Sequence, residues 1–213
     1  MNNRSVEVAK ELLRIKAVFL RPSEPFTWAS GIKSPIYCDN RIVLGDINAR
    51  KVVENALAEA IKENYDDVEV LMGTATAGIA HAALVADILS LPMGYVRASS
   101  KDHGRNNQIE GASVVGKKVV VVEDLISTAG SSIETVNILR EAGAIVLGIV
   151  SIFTYTLEKG VKRLAEANCK NVSISNIHDL VKVALDENYL NKREGRQVLK
   201  FISNTSDPSW QDL

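Results

Sequence analysis

Residues Lys117 to Ser132, KKVVVVEDLISTAGSS, constrain the fold more than any other part of this chain. Four consecutive valines (Val119 to Val122) suit a strand buried on both faces of a parallel sheet, where neither face needs polar side chains. Two carboxylates, Glu123 and Asp124, close that strand. A loop of small residues follows (Ser127, Thr128, Ala129, Gly130, Ser131), and an apolar-periodic helix begins behind it. Ligands of open α/β sheets gather at the carboxyl ends of the strands. The loop offers backbone N–H groups and hydroxyls to an anion, and the helix N-terminus adds a favourable dipole. The expectation is a phosphate near Thr128 to Ser132 and a polyhydroxy group near Glu123 and Asp124, the outline of a sugar phosphate. Taken alone, VVVVED reads equally well as an ordinary buried strand whose acidic end caps the next helix. The tight run of small residues after two adjacent acids favours the binding site.

Hydrophobic periodicity places the other elements. A first helix is expected from Ser5 to about Phe19, with Val8, Leu12, Ile15 and Phe19 on one face. An irregular stretch with three prolines, RPSEPFTWASGIKSPIYCDNR, follows. It reads as a surface lobe held by its aromatics or as a hood over a substrate. A long helix begins at Asp46 and ends near Asn64. Strands are expected at Val68 to Gly73, Leu91 to Arg97, Lys117 to Asp124, Ile145 to Phe153 and Val172 to Ser175. The helices between and after them are TATAGIAHAALVADIL, Ser131 to Ala142, Glu158 to Ala167 and Ile177 to Glu187, and the chain finishes with a basic helix. The tail after Ser203 reads as frayed. This alternation predicts an α/β fold, a parallel sheet flanked by helices, with a small N-terminal hood lobe. We expect a single domain over residues 1–213, with residues 1–45 contributing the hood.

Composition excludes several functions. Lys+Arg 25 against Asp+Glu 26 gives a net charge of −1, which disfavours nucleic acid as a partner. No apolar run reaches the length of a membrane span, and the N-terminal MNNRSVEVAKELLRIKAV fits neither a signal nor a transit peptide, so a cytoplasmic enzyme is expected. Cys38 and Cys169 stand far apart, with His81, His103 and His178 the only histidines, so neither a disulfide framework nor a zinc site is indicated. Neither GxxxxGK[ST] nor GxGxxG occurs. His81 reads as a packed histidine on an apolar helix, His178 as part of a helix cap, and Phe26 and Trp28 as lobe packing.

A second informative segment is YVRASSKDHGRNNQIEG (Tyr95 to Gly111). It leaves a strand, sets Arg97, Lys101, His103 and Arg105 within nine residues, and returns through Gln108 to Gly111 as a hairpin arm. By itself it reads as a solvated loop. Beside a sugar-phosphate site it reads as a cationic loop able to close over a leaving group, exclude water and stabilise developing charge.

The KKVVVVEDLISTAGSS segment resembles the phosphoribosyl pyrophosphate (PRPP) motif of type I phosphoribosyltransferases. The Arg97 to Gly111 loop, with KDHG and then QIEG, is similar to the catalytic loop of the orotate phosphoribosyltransferase family. SGIKSPIYCDNR (Ser30 to Arg41) resembles that family's orotate-side segment, and GTATAGI (Gly73 to Ile79) its pyrophosphate-side loop. The likeness runs from about Leu12 to Asp186 and is nearest to the form found in bacilli and their relatives.

The resemblance implies transfer of a phosphoribosyl group from PRPP to orotate, with Mg²⁺, in pyrimidine synthesis. It implies that Arg97, Lys101 and His103 meet the pyrophosphate, with Lys101 the main catalytic cation. Glu123 and Asp124 would flank the ribose hydroxyls, Ser127 would contact orotate, and Thr128, Ala129, Gly130 and Ser131 would hold the 5′-phosphate. It also implies a homodimer with shared active sites. Ala29, Ala77 and Ala98 stand where many relatives carry lysine, leaving Lys33 and Arg41 as the nearby cations on the orotate side. Two alternatives keep the fold: a phosphoribosyltransferase for another base, and a PRPP-sensing regulator.

Overall fold

The computed structural model describes residues 3–27, 31–97 and 108–213. In chain order the elements are α1 (Asn3–Arg14), β1 (Val18–Leu20), β2 (Phe26–Thr27), β3 (Lys33–Ser34), β4 (Ile36–Cys38), a 3-10 turn (Asn40–Gly45), α2 (Ile47–Asn64), β5 (Val70–Thr74), α3 (Ala77–Leu89), β6 (Met93–Val96), β7 (Ile109–Gly111), β8 (Lys118–Ile126), α4 (Gly130–Glu141), β9 (Ile145–Thr154), α5 (Glu158–Glu166), β10 (Asn171–Asn176), α6 (Ile177–Asp186), α7 (Lys192–Ser203) and a final 3-10 turn (Pro208–Asp212).

Six strands form the main sheet in the order β10-β9-β8-β5-β6-β7. All neighbours run parallel except β7, which returns antiparallel beside β6. The sheet is therefore mixed, and its one antiparallel edge is the hairpin arm expected from Gln108 to Gly111. The four valines of β8 explain its central place. Val120 and Val122 enter one core, against α1, α2, α3 and α6, while Val119 and Val121 enter the other, beside α4. All four are fully buried, each contributing roughly 2 kcal/mol of apolar burial.

The chain runs from β5 outward to β6, then returns to lay β8 on the other side of β5. Strand order thus reverses between β5 and β8, and the crevice at their carboxyl ends is where such sheets bind ligands. β8 also outlasts β5. Its pairing with β5 stops at Gly73↔Val122, whereas pairing with β9 continues to Ile126↔Thr154. Glu123 to Ile126 therefore project past β5 along one wall of the crevice.

The first helix is shorter than its apolar period suggests. Lys16 takes a left-handed conformation (φ 58°), which closes α1 and turns Val18 to Leu20 into a strand paired with β4. Phe19 faces Tyr37 in that pairing and lies 6.2 Å from Phe26, so Phe26 does serve lobe packing. The irregular stretch holds two small antiparallel sheets, β1-β4 and β2-β3. The tail is not frayed: Trp210 is buried against Phe201, ring centroids 5.8 Å apart. α2 begins as expected, with the Asp46 side chain accepting from the N–H groups of Asn48 and Ala49.

Candidate active site

The end of β8 sets its two carboxylates in different environments. Glu123 is buried, 4 % exposed, and turns inward. Its Oε1 accepts from the Asp124 N–H at 3.0 Å and its Oε2 from the Ser132 hydroxyl at 2.8 Å. Burial first, and then the neighbouring Asp124 carboxylate, push its pKa up to about 8. At neutral pH Glu123 is thus a neutral acid tying β8 to the first turn of α4. Asp124 remains half-buried at the crevice. The carboxylate presented there is Asp124, with Glu123 as its support.

The small residues after β8 form the loop that the sequence implied. Ser127 and Thr128 are half-buried, Gly130 and Ser131 are exposed. Ala129 adopts a left-handed conformation (φ 58°, ψ 15°) and no side chain caps α4 there. An uncapped helix start leaves backbone donors directed at the loop, where an anion is held by N–H groups and dipole together. Two contacts from α5 brace the loop from behind. The Arg163 guanidinium donates to the Thr128 carbonyl at 3.2 Å. Gly160 packs so closely under Ser127 that a Cβ would overlap the Ser127 carbonyl oxygen.

Across the crevice, β5 ends at Thr74, whose buried hydroxyl has no hydrogen-bond partner among the described residues. Gly78, in the first turn of α3, lies against the Val122 carbonyl with no room for a Cβ. The second glycine of GTATAGI is thus what lets this loop approach the end of β8. Behind it His81 is fully buried, its Nδ1 2.6 Å from Glu54 Oε1 of α2, as a packed histidine. His178 sits in the first turn of α6, donating its N–H to the Asn176 side chain. Its Nε2 lies 3.2 Å from the Thr156 hydroxyl.

Arg97 stands at the end of β6. Its N–H donates to the Gln108 carbonyl at 2.8 Å, and its guanidinium lies 3.6 Å from Glu110. It is the first cation of the segment singled out in the sequence. Lys101 and His103 lie outside the described residues, as do Ala29, Ala98 and Trp28. Among the described residues no group of three or more His, Cys, Asp or Glu side chains is arranged to hold a metal ion.

A cavity of about 590 Å³ lies apart from the β5–β8 crevice. It lies on the α5 side of Ser127, between Leu164 of that helix and Ser173 and His178. Sequence reasoning placed Ser132 in the phosphate loop but did not foresee its bond to Glu123, and it missed three further supports of the site: Asn40, Gly160 and Arg163. These three lie far along the chain and only folding brings them in.

This architecture, a mixed sheet with a strand-end acid pair and an uncapped small-residue loop at its switch point, defines a phosphoribosyltransferase. Residues 44–188 match the phosphoribosyl transferase domain, and the chain belongs to that family. Within it, the chain is 60 % identical over 198 residues to an orotate phosphoribosyltransferase of Listeria innocua, covering 93 % of this chain and 95 % of that one. It is 53 % identical over 204 residues to the orotate phosphoribosyltransferase of Bacillus cytotoxicus, covering 96 % and 97 %. It belongs with these orotate phosphoribosyltransferases, bacillus-like relatives included. Among solved structures, UMP synthase of Leishmania donovani superposes with a TM-score of 0.79 at 26 % identity. That match covers 93 % of this chain, which spans 42 % of that longer protein.

Proposed function

We infer that this chain is an orotate phosphoribosyltransferase, moving the 5-phosphoribosyl group from PRPP to orotate to give orotidine 5′-monophosphate and pyrophosphate in pyrimidine nucleotide synthesis. The observation that carries this is the β8 end and its loop, in a chain 60 % identical to a curated orotate phosphoribosyltransferase over 93 % of its length.

The roles follow from the chemistry. The bond from ribose C1 to the pyrophosphate oxygen breaks, and a bond from C1 to a ring nitrogen of orotate forms. Positive charge builds on the ribose between those events, and the Asp124 carboxylate beside the hydroxyls stabilises it. Glu123, neutral and held by Ser132, keeps the strand end rigid. Thr128, Ala129, Gly130 and Ser131 take the 5′-phosphate on the open start of α4, and Ser127 meets orotate. Arg97, Lys101 and His103 neutralise the departing pyrophosphate, with Lys101 the main cation. Orotate reaches the site as an anion, so catalysis is largely positioning and leaving-group electrostatics.

Mg²⁺ is a hard cation that commonly binds through substrate phosphates with one or two carboxylates. Asp124 is the half-buried carboxylate the crevice offers it, and the ion would neutralise pyrophosphate charge. The proposal extends to a cytoplasmic homodimer in which residues 98–107 of one chain serve the neighbouring site. It includes a hood from residues 1–45 and no nucleic-acid or membrane partner. No described helix is long and apolar enough to cross a membrane.

The test is orotate consumption followed by absorbance, with PRPP and Mg²⁺, and with adenine, hypoxanthine and uracil in parallel. Loss of orotate that requires both PRPP and Mg²⁺ is expected. Turnover of another base instead would move the base assignment. PRPP binding without turnover of any base would make the chain a PRPP sensor.

A further inference from the structure

Asn40 is completely buried, although its carboxamide must find partners to make that burial tolerable. It begins the 3-10 turn after β4. Asp39 caps that turn, accepting from the Arg41 N–H at 3.2 Å while the Arg41 guanidinium clasps its carboxylate at 2.6 and 2.7 Å. The Asn40 amide is thereby held in one place. Its Nδ2 donates to the main-chain carbonyl of Asp124 at 2.7 Å, and its Oδ1 accepts from the Cys38 thiol at 3.3 Å. The two residues bridged, Asn40 and Asp124, are 84 positions apart. The bridge falls where β8 has lost one neighbour, since pairing with β5 ends two residues earlier at Val122.

We propose that Asn40 is a positioning residue for the transfer reaction: it fixes the main chain at Asp124 from the N-terminal lobe, and so the direction in which the Asp124 carboxylate faces the ribose. The inference rests on Asp124 being the ribose contact. One face of the strand end is steadied by Glu123 and Ser132 and the main chain by Asn40, so the lobe and the acid pair move as a unit. An apolar side chain at position 40 would fill the space but leave the Asp124 carbonyl without this bond.

The test is a double-mutant cycle on the full chain with Asn40→Ala and Asp124→Asn, measuring kcat, KM for PRPP and KM for orotate, with the unfolding midpoint of each variant. Asn40→Ala alone should lower kcat/KM for PRPP by roughly 10–100-fold, the scale of a small misplacement of a reacting group. In the Asp124→Asn background the same change should have little further effect, because the group it positions is gone. Asn40→Ser, which keeps a donor, should recover part of the loss and supplies the cycle if Asn40→Ala folds poorly. Equal losses in both backgrounds would reduce Asn40 to a structural residue, and unchanged PRPP kinetics would remove it altogether. Wild-type turnover of orotate in the same series separates the two claims. Its absence would defeat the reading of the site; its presence with additive variants would defeat only the role of Asn40.

Discussion

Replacing Glu123 by glutamine should make the protein more stable in base while leaving its stability in mild acid nearly unchanged. The Glu123 carboxyl is 4 % exposed and pushed up to about 8 by burial and by Asp124, from an ordinary value of 4.5. A group with a raised folded pKa contributes stability that is fully present below about 4.5 and lost as pH climbs through about 8. Each unit of pH in that window removes about 1.4 kcal/mol. Between pH 5.5 and 8.5 the wild-type chain therefore gives up about 3 kcal/mol at this one position. A glutamine cannot ionise, and its amide can still hydrogen-bond Ser132 and the Asp124 N–H. Thermal and denaturant unfolding of both proteins across that range should show curves that diverge upward in pH. The separation in Tm should reach roughly 6–12 °C by pH 8.5 for a chain of this size. Parallel curves would mean that Glu123 is ionised throughout, and the neutral support assigned to it would have to be abandoned.

Other outcomes follow from the same geometry. Gly160→Ala should cost about 1–3 kcal/mol, because its methyl group must displace the Ser127 backbone, and should raise KM for PRPP. Gly45→Ala, with open space around it, should change stability by less than about 0.5 kcal/mol, and a large loss there would undermine the steric argument. Lys101→Ala should lower kcat by orders of magnitude with an unchanged unfolding midpoint; near-normal turnover would remove Lys101 from the mechanism. Mixing a Lys101→Ala chain with one disabled in the Thr128 to Ser131 loop should restore activity if sites are shared. Hybrids that form yet stay inactive would exclude sharing.

Much of this molecule was legible in the sequence because its signals are local. Four valines followed by two acids and a small-residue loop specify a central strand and a helix start without knowledge of what packs on them. The alternation of strands and helices likewise fixed the layers. Long-range effects were not legible. α1 stops at Arg14 because Lys16 turns left-handed, although the apolar period continues to Phe19. Polarity made the tail look frayed, but Trp210 finds Phe201. The acid pair looked symmetrical, and only packing against Ser132 turns Glu123 inward while Asp124 stays at the crevice. Arg163, Gly160 and Asn40 support the site from elements 35, 33 and 84 residues away from the residues they hold, a separation that no motif can span.

The central claim is that PRPP lies at the end of β8, and a crystal structure of the protein with Mg²⁺ and PRPP tests it most directly. The account predicts the 5′-phosphate on the backbone N–H groups of the Thr128 to Ser132 loop, with the ribose hydroxyls at the Asp124 carboxylate and Glu123 still bonded to Ser132. PRPP seated elsewhere, for example in the cavity beside α5, would contradict it.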